Sequence, residues 1–225
     1  MHKMARSEKG LRLLELYGLL KSRFGFQNWW PGETPFEIMV GAILTQNTSW
    51  QNVEKAIGNL KSENLLSPER IYNVSSERLA ELIKSSGYYN QKAKKLKNFV
   101  EFLKENFSFK IENMKKLNLY KLREMLLNVN GIGKETADSI LLYALSKKIF
   151  VVDAYTKRIL KRLLFLNDEN CEYDDVRFLI EKEIPKKLSL YKDFHAQFVM
   201  LGKNHCKKTK PLCDVCPVAK YCQYG

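Results

Sequence analysis

The chain has 225 residues, 45% of them hydrophobic, with 38 Lys and Arg against 25 Asp and Glu for a formal charge of +13. That apolar content excludes a disordered chain and gives a core to one domain or two small ones. No apolar run approaches the roughly 18–20 residues of a membrane span. The basic N-terminal stretch lacks the apolar region and cleavage site of a signal peptide, so a cytoplasmic protein is expected, with a positive field suited to phosphates.

Helical periodicity then dominates along the chain. "GLRLLELYGLLKSRF" sets Leu11, Leu14, Tyr17 and Leu20 at three- and four-residue intervals, predicting one buried stripe. "PFEIMVGAILTQ" is apolar enough for a core helix, and "SWQNVEKAIGNLKSENLL" is amphipathic. Pro68 marks the next start, and "SSERLAELIKSSG" opens on serine caps and stops at Gly87. "NQKAKKLKNFVEFLKENF" places Ala93, Leu96, Val100 and Leu103 on one face and lysines on the other. The only β-like run, "KKIFVVD", is too short to build a sheet. The expected fold class is all-α.

After Gly202 the periodicity fades, and "KNHCKKTKPLCDVCPVAKYCQYG" holds four of the five cysteines. Apolar burial cannot tie down so short and polar a segment. Cys206, Cys213, Cys216 and Cys222, separated by six, two and five residues, predict a shared metal centre. Disulfides do not suit an intracellular chain, and sulfur ligation alone leaves Zn²⁺ and an iron–sulfur cluster both open. Cys171 lies apart, as an unligated thiol.

"KLREMLLNVNGIGKETADSILLYAL" reads as helix, hairpin, helix. Gly131 and Gly133 are expected to allow positive φ and to clear side chains from the backbone. Ile132 points inward as the anchor. The exposed N–H groups, with the N-terminus of the next helix, suit a DNA phosphate.

This hairpin, "VVDAYTKRILKRL" with Asp153 18 residues after Glu135, and the cysteine tail together resemble the helix-hairpin-helix DNA glycosylases of the endonuclease III superfamily. The resemblance covers nearly the whole chain. "LTQNT" looks like that family's helix-end signature, "GYYNQKAKKL" like its DNA-wedge loop, and the cysteine spacing like its [4Fe-4S] pattern. It implies two helical subdomains flanking a DNA-binding cleft. Residues 27–147 would form a six-helix domain with the helix-hairpin-helix at about 121–146. Residues 1–26 plus 148–225 would carry the [4Fe-4S] loop at 206–222, a structural cluster without a redox step in base removal. The implied partner is double-stranded DNA with a damaged base, bound by a monomer on the nucleoid.

Bifunctional members carry a lysine nucleophile after "GxG(R/K)"; here that position is Glu135. Lys134, one residue earlier, points about 100° away around the helix. A monofunctional hydrolase is therefore expected. Asp153 holds the family's aspartate position and is also a natural helix N-cap. The two roles are compatible, since backbone N–H donors favour an anionic oxygen. Its carboxylate would stabilise the sugar cation of glycosidic hydrolysis and orient the water.

"WWP…LTQNT.W" with a carboxylate in the lysine's place resembles the alkylpurine branch, whose cationic bases suit aromatic faces at about 0.5–2 kcal/mol per contact. In that reading Trp29, Trp30, Pro31 and Trp50 line the pocket, Glu135 contacts the purine, and Lys203 neighbours it. Gln46 would fill the gap left by the flipped base, and Tyr88 would wedge the opposite side. Asn47, Asn90, Lys92, Lys94, Lys95 and Lys134 would meet DNA. Endonuclease III-like lyase or mismatch activity, and a non-catalytic DNA-binding module, are the alternatives.

Overall fold

The computed structural model describes residues 2–168, 170–222 and 224, with side chains from residue 12 onward. Every regular element among them is helical. None of these helices is long and apolar enough to cross a membrane. The chain divides into two compact units: residues 30–147, and residues 1–29 together with 148–225.

The 30–147 unit is built around α2 (Pro35–Leu44), which Thr34 caps by accepting a hydrogen bond from Glu37 N at 3.1 Å. Pro35 occupies its first turn, where a missing N–H is harmless. Met39, Val40, Ile43 and Leu44 are fully buried, so α2 is apolar because it has no solvent face. Helix α3 (Trp50–Ser62) covers it with Val53, Ala56, Ile57 and Leu60. Short α4 (Pro68–Asn73) and α5 (Ser76–Leu82) start at Ser67 and Ser75, each accepting a backbone N–H. Helix α6 (Tyr89–Phe107) buries Ala93, Leu96, Val100 and Leu103, the stripe its sequence predicts. Then come α7 (Ile111–Lys116), α8 (Leu119–Leu127) and α9 (Lys134–Ser139), the last continuing as a π turn over Ile140–Ala144. The unit has eight described α-helices where six were expected, and α4, α5, α7 and α9 are pieces of only six or seven residues.

In the other unit α1 (His2–Phe24) packs on α11 (Tyr173–Glu183) and α12 (Leu188–Asn204), with α10 (Ala154–Arg162) against α12. The buried positions of α1 are Leu13, Leu16 and Leu20. The predicted stripe is corrected by about one residue: Leu14 and Tyr17 sit at its half-buried margin, and the Leu11 side chain lies outside the described residues. Tyr17 turns to donate to Asp193 Oδ2 at 2.8 Å. The β-like run forms no strand. Phe150 and Val152 are buried, and their N–H groups donate to Glu181 Oε1 at 2.8 Å and Tyr173 OH at 3.3 Å of α11, which satisfies backbone that a sheet would otherwise pair.

Candidate functional site

Gly131 opens the hairpin between α8 and α9 at φ +99°, and a Cβ there would lie 2.3 Å from Lys95 Cγ. Both constraints demand glycine. Gly133 differs from expectation. It is an extended N-cap at φ −90°, ψ 177°, and a Cβ on it would meet open space. Its glycine keeps the surface bare and does not provide a left-handed turn. Ile132 is buried between the helices. Arg123 of α8 fastens to the fully buried Asp138 of α9, Nε to Oδ1 at 2.7 Å and Nη2 to Oδ2 at 3.1 Å. Asn98 Nδ2 donates to the Asn130 carbonyl at 3.0 Å. Lys134 is half-buried, and Glu135 is exposed in the first turn of α9.

Gln46 belongs to this hairpin. Its Nε2 donates to Gly131 O at 3.2 Å and Thr136 Oγ1 at 3.0 Å, while its Oε1 accepts from Lys95 Nζ. Asn47 beside it is exposed at φ +54°. At the loop before α6, Gly87 and Tyr88 both have positive φ, and the Tyr88 ring is 66% exposed, with Asn90 and Lys94 also at the surface. Lys92 is a correction. It is 2% exposed and donates inward to Leu44 O at 2.8 Å and Ser86 O at 2.6 Å, so its ammonium is consumed by helix-end carbonyls and does not face a phosphate. Burial, with Lys95 nearby, lowers it to about 8.

Within the 30–147 unit Trp30 meets Trp50 edge-on at 5.4 Å and Tyr143 at 5.2 Å. Gly41 of α2 lies beneath them, where a Cβ would come 3.3 Å from Trp30 Nε1 and 3.4 Å from Trp50 Cη2. Trp50 Nε1 donates to Glu54 Oε1 at 2.7 Å. Both indoles are half-buried, and Pro31 is exposed. Tyr143, Gly41 and Glu54 were not anticipated: Tyr143 sits on a π turn, whose register ordinary 3.6-residue counting misplaces. Trp29 belongs to the other unit, half-buried, with exposed Lys203 Nζ 5.7 Å over its ring.

Asp153 caps α10. Its Oδ1 accepts from Thr156 N at 2.7 Å and Thr156 Oγ1 at 2.8 Å. Its Oδ2 faces His195 Nε2 of α12 at 3.8 Å. Burial lowers His195, against a smaller opposing pull from Asp153. Two turns further along α12, Gly202 lets Tyr155 approach: a Cβ would lie 2.2 Å from Tyr155 Cδ1. Buried Asp193 on the same helix accepts Gln27 N at 2.8 Å, and Gln197 Nε2 donates to Gly25 O at 2.7 Å, which fixes the backbone leading to Trp29. None of these α12 residues follows a motif, so only their polarity within an apolar helix marked them.

Cys206, Cys213, Cys216 and Cys222 are all free and half-buried, and line one cavity of about 250 Å³. Burial pushes the Cys216 thiol up, and the other three cysteines add to the effect. Arg162 Nη1 lies 3.2 Å from Cys206 Sγ, and Arg158 grips the Cys206 carbonyl with two bonds of 3.0 and 2.8 Å. Among the described residues no group of His, Cys, Asp or Glu is set to hold a metal ion, so a four-thiolate centre is not shown. The donor set and the cavity are nonetheless compatible with a thiolate-bound cluster.

Residues 40–186 match the family described as HhH-GPD superfamily base excision DNA repair protein. The chain is 51% identical over 212 residues to the "Putative DNA repair glycosylase MJ1434" of Methanocaldococcus jannaschii, covering 93% of this chain and 95% of that protein. It resembles the crystal structure of H. pylori 3-methyladenine DNA glycosylase (MagIII) bound to 1,N6-ethenoadenine, at 34% identity and TM-score 0.72, over 88% and 97% of the two chains. A non-covalent endonuclease III–DNA complex shares the fold, at 23% identity and TM-score 0.81 over 95% of each chain. With a family match over more than half its length and a relative 51% identical along most of it, the chain belongs to the HhH-GPD superfamily of base excision DNA repair proteins.

Proposed function

We propose that this DNA glycosylase is monofunctional and hydrolyses N-alkylated purines such as 3-methyladenine and 7-methylguanine from double-stranded DNA, leaving an abasic site. The observation that carries the reading is Glu135, an exposed carboxylate in the first turn of α9 where a lyase needs its amine. Without that amine, water is the nucleophile and strand cleavage has no Schiff base to start from. A labile, cationic base needs little more than a stabilised sugar cation.

Asp153 supplies the stabilising charge. As C1′ parts from the base, its carboxylate offsets the developing positive charge and takes up the proton of the incoming water. Trp30, Trp50 and Tyr143 would offer electron-rich rings to a cationic purine, and Trp29, with Lys203 over its ring, would add a further contact. Glu135 would pair with the base's positive charge. Gly131, Ile132, Gly133 and Lys134 would present the hairpin to phosphate, with Gln46, Asn47, Tyr88 and Asn90 at the distorted duplex. Cys206, Cys213, Cys216 and Cys222 would hold a [4Fe-4S] cluster, which when bound cross-links the C-terminal loop. Likeness to the H. pylori 3-methyladenine glycosylase supports the substrate class.

Incubation with duplexes containing methylated purine, thymine glycol or a mismatch tests the reading. Release of methylated purine, with strands intact until alkali is added, is expected. Strand cleavage with borohydride trapping would make it a lyase, and binding without release a recognition module. Asp153→Asn is expected to abolish most release while retaining DNA binding.

A further inference from the structure

The buried face of α12 carries one group that the chemistry above does not use. His195 is 4% exposed, and its Nε2 is aimed at Asp153 Oδ2 from 3.8 Å. The other carboxylate oxygen, Oδ1, is already held by Thr156 N and Thr156 Oγ1. Asp153 is therefore flanked by polar groups from two helices: its own, through the cap, and α12, through the imidazole. The two bonds to Oδ1 restrain the carboxylate through that oxygen. An imidazole nitrogen facing Oδ2 from 3.8 Å, a small closing movement beyond hydrogen-bond reach, is placed to restrain the second oxygen as well, and such fixing matters where a carboxylate must meet a sugar within a fraction of an ångström.

The spacing of α10 and α12 is set independently. Gly202 lies seven residues, close to two full turns, beyond His195 and so on the same face of α12. Its missing side chain is what admits the Tyr155 ring, two residues after Asp153. Close approach at Gly202 brings His195 within reach of Asp153.

We propose that His195 is a positioning residue for Asp153, donating Nε2–H toward Oδ2 and holding the carboxylate in its catalytic rotamer. The inference rests on the reading of Asp153 as the group beside the sugar, not on the identity of the damaged base. It acts through Asp153 alone, so its effect must vanish when Asp153 is disabled.

The test is a double-mutant cycle on whichever lesion the wild-type protein releases, read as single-turnover release. His195→Phe is expected to slow release about ten- to a hundredfold, the equivalent of one lost hydrogen bond to a charged group. His195→Gln, which keeps an N–H donor, should recover most of that loss. In an Asp153→Asn background His195→Phe should add less than about twofold. Affinity for DNA with an abasic-site analogue should be unchanged throughout. Losses that simply add, or a Gln variant as slow as Phe with an unchanged melting temperature, overturn the proposal. A second measurement needs no substrate and survives a misfolded Phe variant. The His195 Nε2–H proton resonance should move upfield in Asp153→Asn, and an unmoved resonance overturns the pairing even if the alkylpurine reading stands. Absence of alkylpurine release by the wild type sinks that reading and leaves this one to the resonance.

Discussion

The Arg123 guanidinium and the Asp138 carboxylate form a two-bond ion pair that ties α8 to α9 beneath the 130–133 hairpin. Asp138 is fully buried, and the Arg123 side chain is 12% exposed. Removing one partner strands a desolvated charge. Arg123→Ala is therefore expected to cost about 3–5 kcal/mol, whereas an apolar replacement of both residues with similar volume should recover much of it. Urea unfolding midpoints of the two variants check this; equal losses would mean that a stranded Asp138 charge is not what the single variant suffers from.

Gly131 and Gly133 separate the structural from the functional role of glycine in one hairpin. Gly131→Ala must strain a φ of +99° and push Cβ into the Lys95 side chain at 2.3 Å, so it should lower the melting temperature and DNA affinity together. Gly133→Ala meets no neighbour at an ordinary extended φ. Its melting temperature should stay within a degree or two, and only DNA affinity should fall, because the added methyl would stand where the proposed hairpin contact brings a phosphate. Duplex binding by anisotropy alongside thermal melts distinguishes the two outcomes.

Lys92 makes a prediction opposite to that of a phosphate contact. Its ammonium caps the Leu44 and Ser86 carbonyls, and Lys92→Met should cost about 1–3 kcal/mol for each buried acceptor left unsatisfied. The salt dependence of DNA binding by the folded variant should match the wild type. The folded group titrates near 8 against an ordinary 10.5. Below pH 8 both states are protonated, and the folded state carries the full penalty of burying the charge. Between pH 8 and 10.5 the unfolded chain holds more protons, so this residue makes stability rise with pH across that window. Loss of that rise in Lys92→Met is the measurement.

The sequence shows helices wherever a single face is buried, as in the Ala93–Leu103 stripe of α6, because periodicity records burial directly. It does not show where a lysine points. Lys92 and Lys97 sit among lysines that read as a solvated or DNA-facing surface, yet each donates to carbonyls near helix ends: Leu44 and Ser86, Tyr72 and Val74; Lys147 does the same to Lys115 and Leu117. Part of the +13 charge therefore stabilises the fold internally. Asp153 was legible because a cap has a local signature. His195 was not, since its relation to Asp153 spans 42 positions and exists only once α12 is packed.

The proposed [4Fe-4S] cluster predicts a brown protein, when it is prepared without oxygen, containing about four irons per chain. Chelation or Cys216→Ala should loosen the C-terminal loop, because the Arg158 and Arg162 contacts hold Cys206 at its start and do not reach Cys213 or Cys216. Protease sensitivity confined to residues 206–222 is the expected readout. Stoichiometric zinc without iron would reassign the site.

Restoring the missing amine is the most direct test of the chemistry. Glu135→Lys puts a primary amine at the exposed first turn of α9, where the helix N-terminus disfavours a cation by about 0.3–1 kcal/mol and so enriches the neutral nucleophile. A neutral amine at that position can attack C1′, displace the base and leave an imine that borohydride reduces to a stable protein–DNA bond. The variant should therefore form a trapped complex with lesion or abasic duplex that the wild type does not, while its release of cationic purines falls for want of the carboxylate. A variant that binds DNA as tightly as the wild type yet never traps would place the position away from the sugar, and Glu135 would lose its part in deciding between hydrolysis and lyase chemistry.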